Sequence, residues 1–275
     1  MRVRSLLSRC LVYRKWNRRN CHLIFSALLK RGKVNFHAID QLCYVLTGLV
    51  NDGKQVVLVS SGAIGVGMGQ VGLHERPESI PAQQALAAIG QSGLMSVYQQ
   101  RFSLYGQRIG QILLTHDVLE YPLSRQNALN TFNSLLEWGV IPIVNENDTV
   151  AVDEMDHHTK FGDNDQLSAI VSSIVDAELL VMLSDIDGFF DKNPRKYADA
   201  KLFERITKID ETAIEAAGGK GSKFGTGGMM TKLKAAKRML ENDKMMILAN
   251  GQDPAIIFEL IKGEPLGTLF VKEEK

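Results

Sequence analysis

Several things are scarce in this sequence, and each scarcity excludes a class of protein. Cysteine comes first: Cys10, Cys21 and Cys43 are the only three in 275 residues. They are too few for a disulfide scaffold and do not pair at metal-ligand spacing, so a reducing, cytoplasmic setting is expected. Long apolar runs are missing too. None approaches the ~18–20 residues that a membrane helix needs, so no membrane partner is expected. There is no internal repeat and no low-complexity linker. Net charge is only +1, but the average hides an asymmetry. Residues 1–33 carry ten Lys or Arg and no Asp or Glu, which leaves 22 basic against 31 acidic residues in the remainder. So acidic a body is not built to coat nucleic acid, and no nucleic-acid partner is expected.

What is present is enough for a packed core: 45% of residues are hydrophobic, which excludes wholesale disorder. From Asn35 onward, strand and helix signals alternate. Asn35 is placed to cap a helix in which Phe36, Ile39, Leu42, Leu46 and Leu49 recur at helical spacing, and Asn51-Asp52-Gly53 ends it. Gln55–Ser60 reads as a buried strand opening into a glycine-rich segment, Ser61–Gly69. A long helix is expected from Pro81 to about Leu104, then a strand over 108–114, a helix over 123–136 and a strand over 140–144. Further on come a helix opening at Gly162–Asp165, a strand over 179–183, a short helix near Glu211 and a helix over 229–242. A strand over 245–248, a helix over 254–261 and a last strand near Leu269 complete the pattern. Such alternation predicts an α/β fold with a doubly wound, mostly parallel sheet and helices on both faces, in one domain.

In open parallel sheets, ligands sit beyond the carboxyl ends of the strands. Three polar segments fall there: Ser60–Gly69, Asn145–Asp148 and Ser184–Asp187. Asn145, Glu146, Asn147, Asp148, Asp163, Asn164 and Asp165 form a dense polar group around two connections, suited to a ligand bearing an ammonium; any one of these carboxylates alone is equally a helix cap. Gly225-Thr226-Gly227-Gly228 stands directly before a helix, where backbone N–H groups and the helix dipole favour phosphate, and Lys232 lies one turn inside. Other motifs carry less. Gly219-Lys220 is followed by Gly221, so no Walker A loop is present, and Gly67–Gly72 matches G-x-G-x-x-G without the strand and helix that a dinucleotide needs around it. His157-His158 has no third ligand at zinc spacing, and the Asp185–Gly188 turn is too short for an EF-hand.

Val59–Gly65, Asn145–Asp148, Gly162–Asp165, Ser184-Asp185 and Gly225–Lys232 together resemble the amino-acid kinase family, and within it the glutamate 5-kinase branch, from about Gly32 to the C-terminus. The resemblance implies a three-layer sandwich and transfer of the ATP γ-phosphoryl group to the glutamate side-chain carboxylate, the first step of proline biosynthesis. Other kinases of the fold, acting on acetylglutamate, aspartate or uridylate, are the alternatives, as is a catalytically impaired nucleotide-binding protein. It implies Ser61, Asp148 and Asn164 as glutamate-binding residues, and Asp165 as organiser of the catalytic lysine Lys232. Ser184, Asp185 and Thr226, Gly227, Gly228, Met229, Met230, Thr231 and Lys232 would hold ATP. Mg²⁺ would bridge the ATP phosphates rather than occupy a protein-held metal site, and the enzyme would be a homo-oligomer. Two departures stand out. No C-terminal RNA-binding-like domain is expected after the kinase domain of 32–275, and residues 1–31 hold no K-x-G-[ST] loop of the kind that ends the family's first strand. Residues 1–31 are therefore expected to be an altered or frame-shifted head that stays outside the core or docks only partly.

Overall fold

The computed structural model describes residues 21–26, 29–30, 33–115, 118, 121–150, 164–217 and 228–273. Its contacts divide the chain into two compact units, Ser26–Asn164 and Met1–Phe25 with Asp165–Lys275, where the sequence pattern suggested one.

In the first unit, β2 (Leu29–Lys30) and β3 (Lys33–Val34) form a small antiparallel hairpin. The Asn35 side chain then accepts the Ala38 N–H at 3.3 Å and caps α1 (Phe36–Asn51), which buries Ile39, Leu42, Leu46 and Leu49 as the periodicity requires. β4 (Gln55–Ser60), β5 (Ile109–Leu114) and β6 (Ile141–Glu146) follow one another as parallel strands in the order β5-β6-β4. Val56 to Ser60 are buried one after another, which requires cover on both faces of the strand.

The glycine-rich segment after β4 is not a loop. It turns at Gly62, whose φ of 104° excludes most side chains, and becomes α2 (Ala63–Val71). α2 packs on α3 (Ile80–Ser103) through Gly67 and Gly90. A Cβ on Gly67 would lie 2.0 Å from the Leu86 carbonyl oxygen, and one on Gly90 would lie 1.8 Å from that of Ala63. Gly67 thus serves close helix packing and Gly72, at φ 76°, ends α2, so two of the three glycines in the G-x-G-x-x-G match have a structural cause. α4 (Pro122–Glu137) buries Phe132.

The second unit carries strands in the order β1-β7-β9-β10-β8: β1 (Cys21–Ser26), β7 (Leu179–Ser184), β9 (Met245–Asn250), β10 (Thr268–Phe270) and β8 (Arg205–Ile206). All pairs are parallel except β10 with β9. Helices α5 (Asn164–Ile174), α6 (Glu211–Ala216), α7 (Met229–Glu241) and α8 (Ile256–Lys262) alternate with them.

β1 decides between the two expectations for the head. Residues 21–26 pair in register with β7, His22 with Leu179 through Phe25 with Met182, so this part of the head is a strand of the sheet. The reason lies in local composition: Cys21-His22-Leu23-Ile24-Phe25-Ser26 holds no Lys, Arg, Asp or Glu, while the basic residues of the head lie on either side. β8, two residues long, carries no sequence signal of its own.

Candidate active site

In the first unit, the acceptor candidates gather where β4 and β6 end. Ser60, wholly buried, shares a 2.8 Å hydrogen bond between its Oγ and the Tyr98 hydroxyl. Half-buried Ser61 follows, and the Asn164 Nδ2 donates to the Ser60 carbonyl at 3.4 Å, so Ser61 and Asn164 come together at one strand end. At the end of β6, the Asn147 backbone N–H donates to the Leu114 carbonyl at 2.8 Å and the Thr149 hydroxyl to the Asn147 Oδ1 at 2.6 Å. This bend presents Asp148 half-buried. Burial pushes the Asp148 carboxyl above its ordinary range, and the Arg76 guanidinium and a backbone N–H offset this in part. Gln91, Glu146, Asn147, Asp148 and Thr149 line a cleft of about 710 Å³ beside it.

The polar group read from the sequence divides in the structure. Asn145 is 4% exposed and donates from Nδ2 to the Gln91 Oε1 at 2.8 Å, so it braces the strand end and does not present itself to a ligand. Gly162 and Asp163 lie outside the described residues, as do His157, His158, Thr226, Gly227 and most of the glycine segment before α7.

In the second unit, two helix starts meet. Asp165, 2% exposed in the first turn of α5, accepts the Lys232 ammonium at 2.9 Å and the Thr231 hydroxyl at 2.8 Å, both on its Oδ2. The Gly228 carbonyl, also 2.8 Å from the Thr231 Oγ1, competes for that hydroxyl proton. Gln166 adds a further tie, its Nε2 donating to the Thr231 carbonyl at 3.0 Å. α7 starts at Gly228 without a side-chain cap and without an acidic residue in its first turn. Its first N–H groups, with Met229, Met230 and Thr231, therefore form a positive end suited to an anion, with Lys232 16% exposed beside them.

At the end of β7, the Ser184 hydroxyl donates to the Asp185 Oδ1 at 3.4 Å. Burial by itself would raise the Asp185 carboxyl, but its hydrogen bond and ion pair with Arg195 outweigh that and hold it below its ordinary range. Here the structure adds residues that the sequence pattern passed over. The Gly251 N–H donates to the Ser184 carbonyl and the Asn250 Nδ2 to the Asp187 Oδ1, each at 2.8 Å. Asn250-Gly251-Gln252-Asp253 follows β9 as directly as Ser184-Asp185 follows β7, so the same strand-end rule points to it. Among the described residues, no group of three or more His, Cys, Asp or Glu side chains converges, and no helix is long and apolar enough to cross a membrane.

The chain matches the amino acid kinase family over residues 26–250, which begins at Ser26 and so reaches further upstream than Gly32. It is 64% identical to the glutamate 5-kinase of Ligilactobacillus salivarius over 248 residues, 90% of this chain and 93% of that one. To the glutamate 5-kinases of Enterococcus faecalis and Lactiplantibacillus plantarum it is 60% and 61% identical, covering 91% and 90% of their lengths and 90% and 87% of its own. Among solved structures it is similar to an isopentenyl phosphate kinase of T. acidophilum, with a TM-score of 0.62 at 16% identity over 91% of this chain and 99% of that one. A carbamate kinase from Giardia lamblia bound to AMP-PNP gives 0.64 at 14% identity over 92% and 99%. At such identities these two speak for the fold alone. By the family match over most of its length and by these identities, this chain belongs to the amino acid kinase family, among its glutamate 5-kinases.

Proposed function

We propose that the chain catalyses ATP-dependent phosphorylation of the L-glutamate side-chain carboxylate, giving glutamyl 5-phosphate, the first step of proline biosynthesis. The observation that carries this reading is the Asp165–Lys232 pair at the uncapped start of α7. A carboxylate of pKa about 4.3 is already ionised at neutral pH, so the acceptor needs no general base. The barrier is charge, an anion attacking a polyanion, and it falls by positioning and by positive charge near the transferring group.

Lys232 supplies such a charge, and Asp165, buried and shared with the Thr231 hydroxyl, aims the ammonium. The N–H groups at the start of α7, with Gly228, Met229, Met230 and Thr231, suit the ATP phosphates, and Thr226 and Gly227 belong to the same segment by sequence. Mg²⁺ on those phosphates supplies further neutralisation without a protein cage. Ser184 and Asp185 take the nucleoside side. On the acceptor side, Asp148 receives the glutamate ammonium, while Ser61 and Asn164 take a carboxylate. An acceptor without a free ammonium, such as acetylglutamate, leaves Asp148 buried and unpaired, which favours glutamate itself. A cytoplasmic homo-oligomer belongs to the same reading.

Residues 21–28 contain no lysine, so the K-x-G-[ST] loop of the family is not supplied where β1 ends. The test is a hydroxamate assay dependent on ATP and glutamate, run on this chain and on one with that loop restored. Glutamate-dependent turnover that rises on restoration supports the reading. Turnover with another acceptor in place of glutamate overturns it.

A further inference from the structure

We propose that Tyr98 and Gln91 are positioning residues for the acceptor side, set on α3 so that one helix face holds the ends of β4 and β6. The proposal rests on the acceptor assignment above and deepens it. Seven residues separate the two, so their side chains leave the same face of the helix two turns apart. Tyr98 is wholly buried, and its hydroxyl has the wholly buried Ser60 Oγ at 2.8 Å. Burial pushes the phenol well above its ordinary value, so the hydroxyl stays protonated and able to donate.

Ser60 is a junction. Its side chain is held by Tyr98, its carbonyl accepts the Asn164 Nδ2, and its chain neighbour is Ser61, followed by the Gly62 turn. A shift of Ser60 therefore displaces two proposed glutamate ligands together. Gln91 does the same for β6: its Oε1 accepts the buried Asn145 Nδ2 at 2.8 Å, three residues before Asp148. Buried hydroxyl and amide groups are costly to leave unpaired, so each pair favours one position of its strand end. Tyr98 reaches no ligand. It acts through Ser60.

The experiment uses the full chain, with glutamate KM, ATP KM and kcat measured beside glutamate Kd by calorimetry. Tyr98→Phe and Ser60→Ala each remove one partner, and Gln91→Leu repeats the test at β6. Ser103→Ala, which removes an exposed hydroxyl bonded to the Gln100 carbonyl in its own helix, is the control. Each of the first three variants is expected to weaken glutamate binding about three- to tenfold, in both KM and Kd, with ATP KM unmoved. The Tyr98→Phe/Ser60→Ala double variant is expected to be no weaker than the weaker single one, because the two act as a unit. Unchanged glutamate binding in the singles, an equal loss for both substrates, or additive losses would overturn the positioning role. Should Tyr98→Phe not fold, the Gln91→Leu variant decides by the same criteria. Absence of glutamate binding and turnover in the unmodified chain would be a failure of the function itself, seen before any variant is made.

Discussion

Replacing Lys232 by Met keeps the length and most of the volume of the side chain and removes its charge. Asp165 is then left 2% exposed with the Thr231 hydroxyl as the remaining donor among the partners described above. Breaking one side of a buried ion pair costs about 3–5 kcal/mol. Lys232 is 16% exposed and Thr231 still donates, so the cost falls somewhat below that range, to about 2–3 kcal/mol. For a domain of this size each kcal/mol moves the Tm by about 2–4 °C, so a fall of about 5–10 °C is expected.

The double variant Lys232→Met/Asp165→Asn leaves a neutral amide where the carboxylate stood. It should regain at least half of the lost Tm. Activity should behave differently. Loss of one positive group at the transferring phosphoryl lowers kcat by about 10²–10³, and the neutral pair cannot restore it. Thermal melts followed by steady-state kinetics on the three variants check both statements. A double variant as unstable as Lys232→Met would mean that the Asp165 charge is not what the lysine compensates. A kcat that recovered with stability would make Lys232 a structural residue only.

Further outcomes are expected from the acceptor side and the helix packing. Asp148→Ala should raise glutamate KM about 10- to 100-fold, the loss of a charge-assisted contact, while ATP affinity measured by thermal shift stays near normal. Because burial raises the Asp148 pKa, glutamate KM should begin to climb, as pH falls, at a pH above that of an ordinary carboxylate; a KM flat until that ordinary range is reached would contradict the assignment. By the same sign, ionised Asp148 opposes folding above its unfolded pKa. The contribution of this carboxylate to stability should therefore improve as pH falls through its raised folded value toward the unfolded one, and Asp148→Asn should hold or raise the Tm at pH 7. Gly67→Ala should cost about 1–3 kcal/mol, read from a denaturant midpoint, because its Cβ meets backbone on the facing helix. Gly69→Ala, two residues on, meets nothing within 4 Å and should stabilise α2 by about 0.5–1 kcal/mol.

Much of this was determined by the sequence alone, because it depends on neighbours along the chain. The spacing of Ile39, Leu42, Leu46 and Leu49 makes an amphipathic helix, and uninterrupted apolar runs at 56–59 and 179–183 make strands covered on both faces. Polar residues directly after strands mark where a parallel sheet binds, and their order along the chain carries the family. Tertiary structure decided who meets whom. Asp165 was legible as a helix-start carboxylate, and the family resemblance tied it to Lys232, but that Thr231, 66 residues away, shares the same carboxylate oxygen is a property of two helix starts brought together. Asn145 looked like part of an exposed polar group, yet it is 4% exposed and gives an amide N–H to Gln91, 54 residues earlier. Gly67 and Gly90 have no meaning until two helices cross there. β1 was missed for the same reason: six uncharged residues within a basic segment are too few to signal a strand, and it is pairing with β7 that makes them one. Local periodicity selects the elements, whereas a buried polar side chain is satisfied by whichever distant group packing delivers.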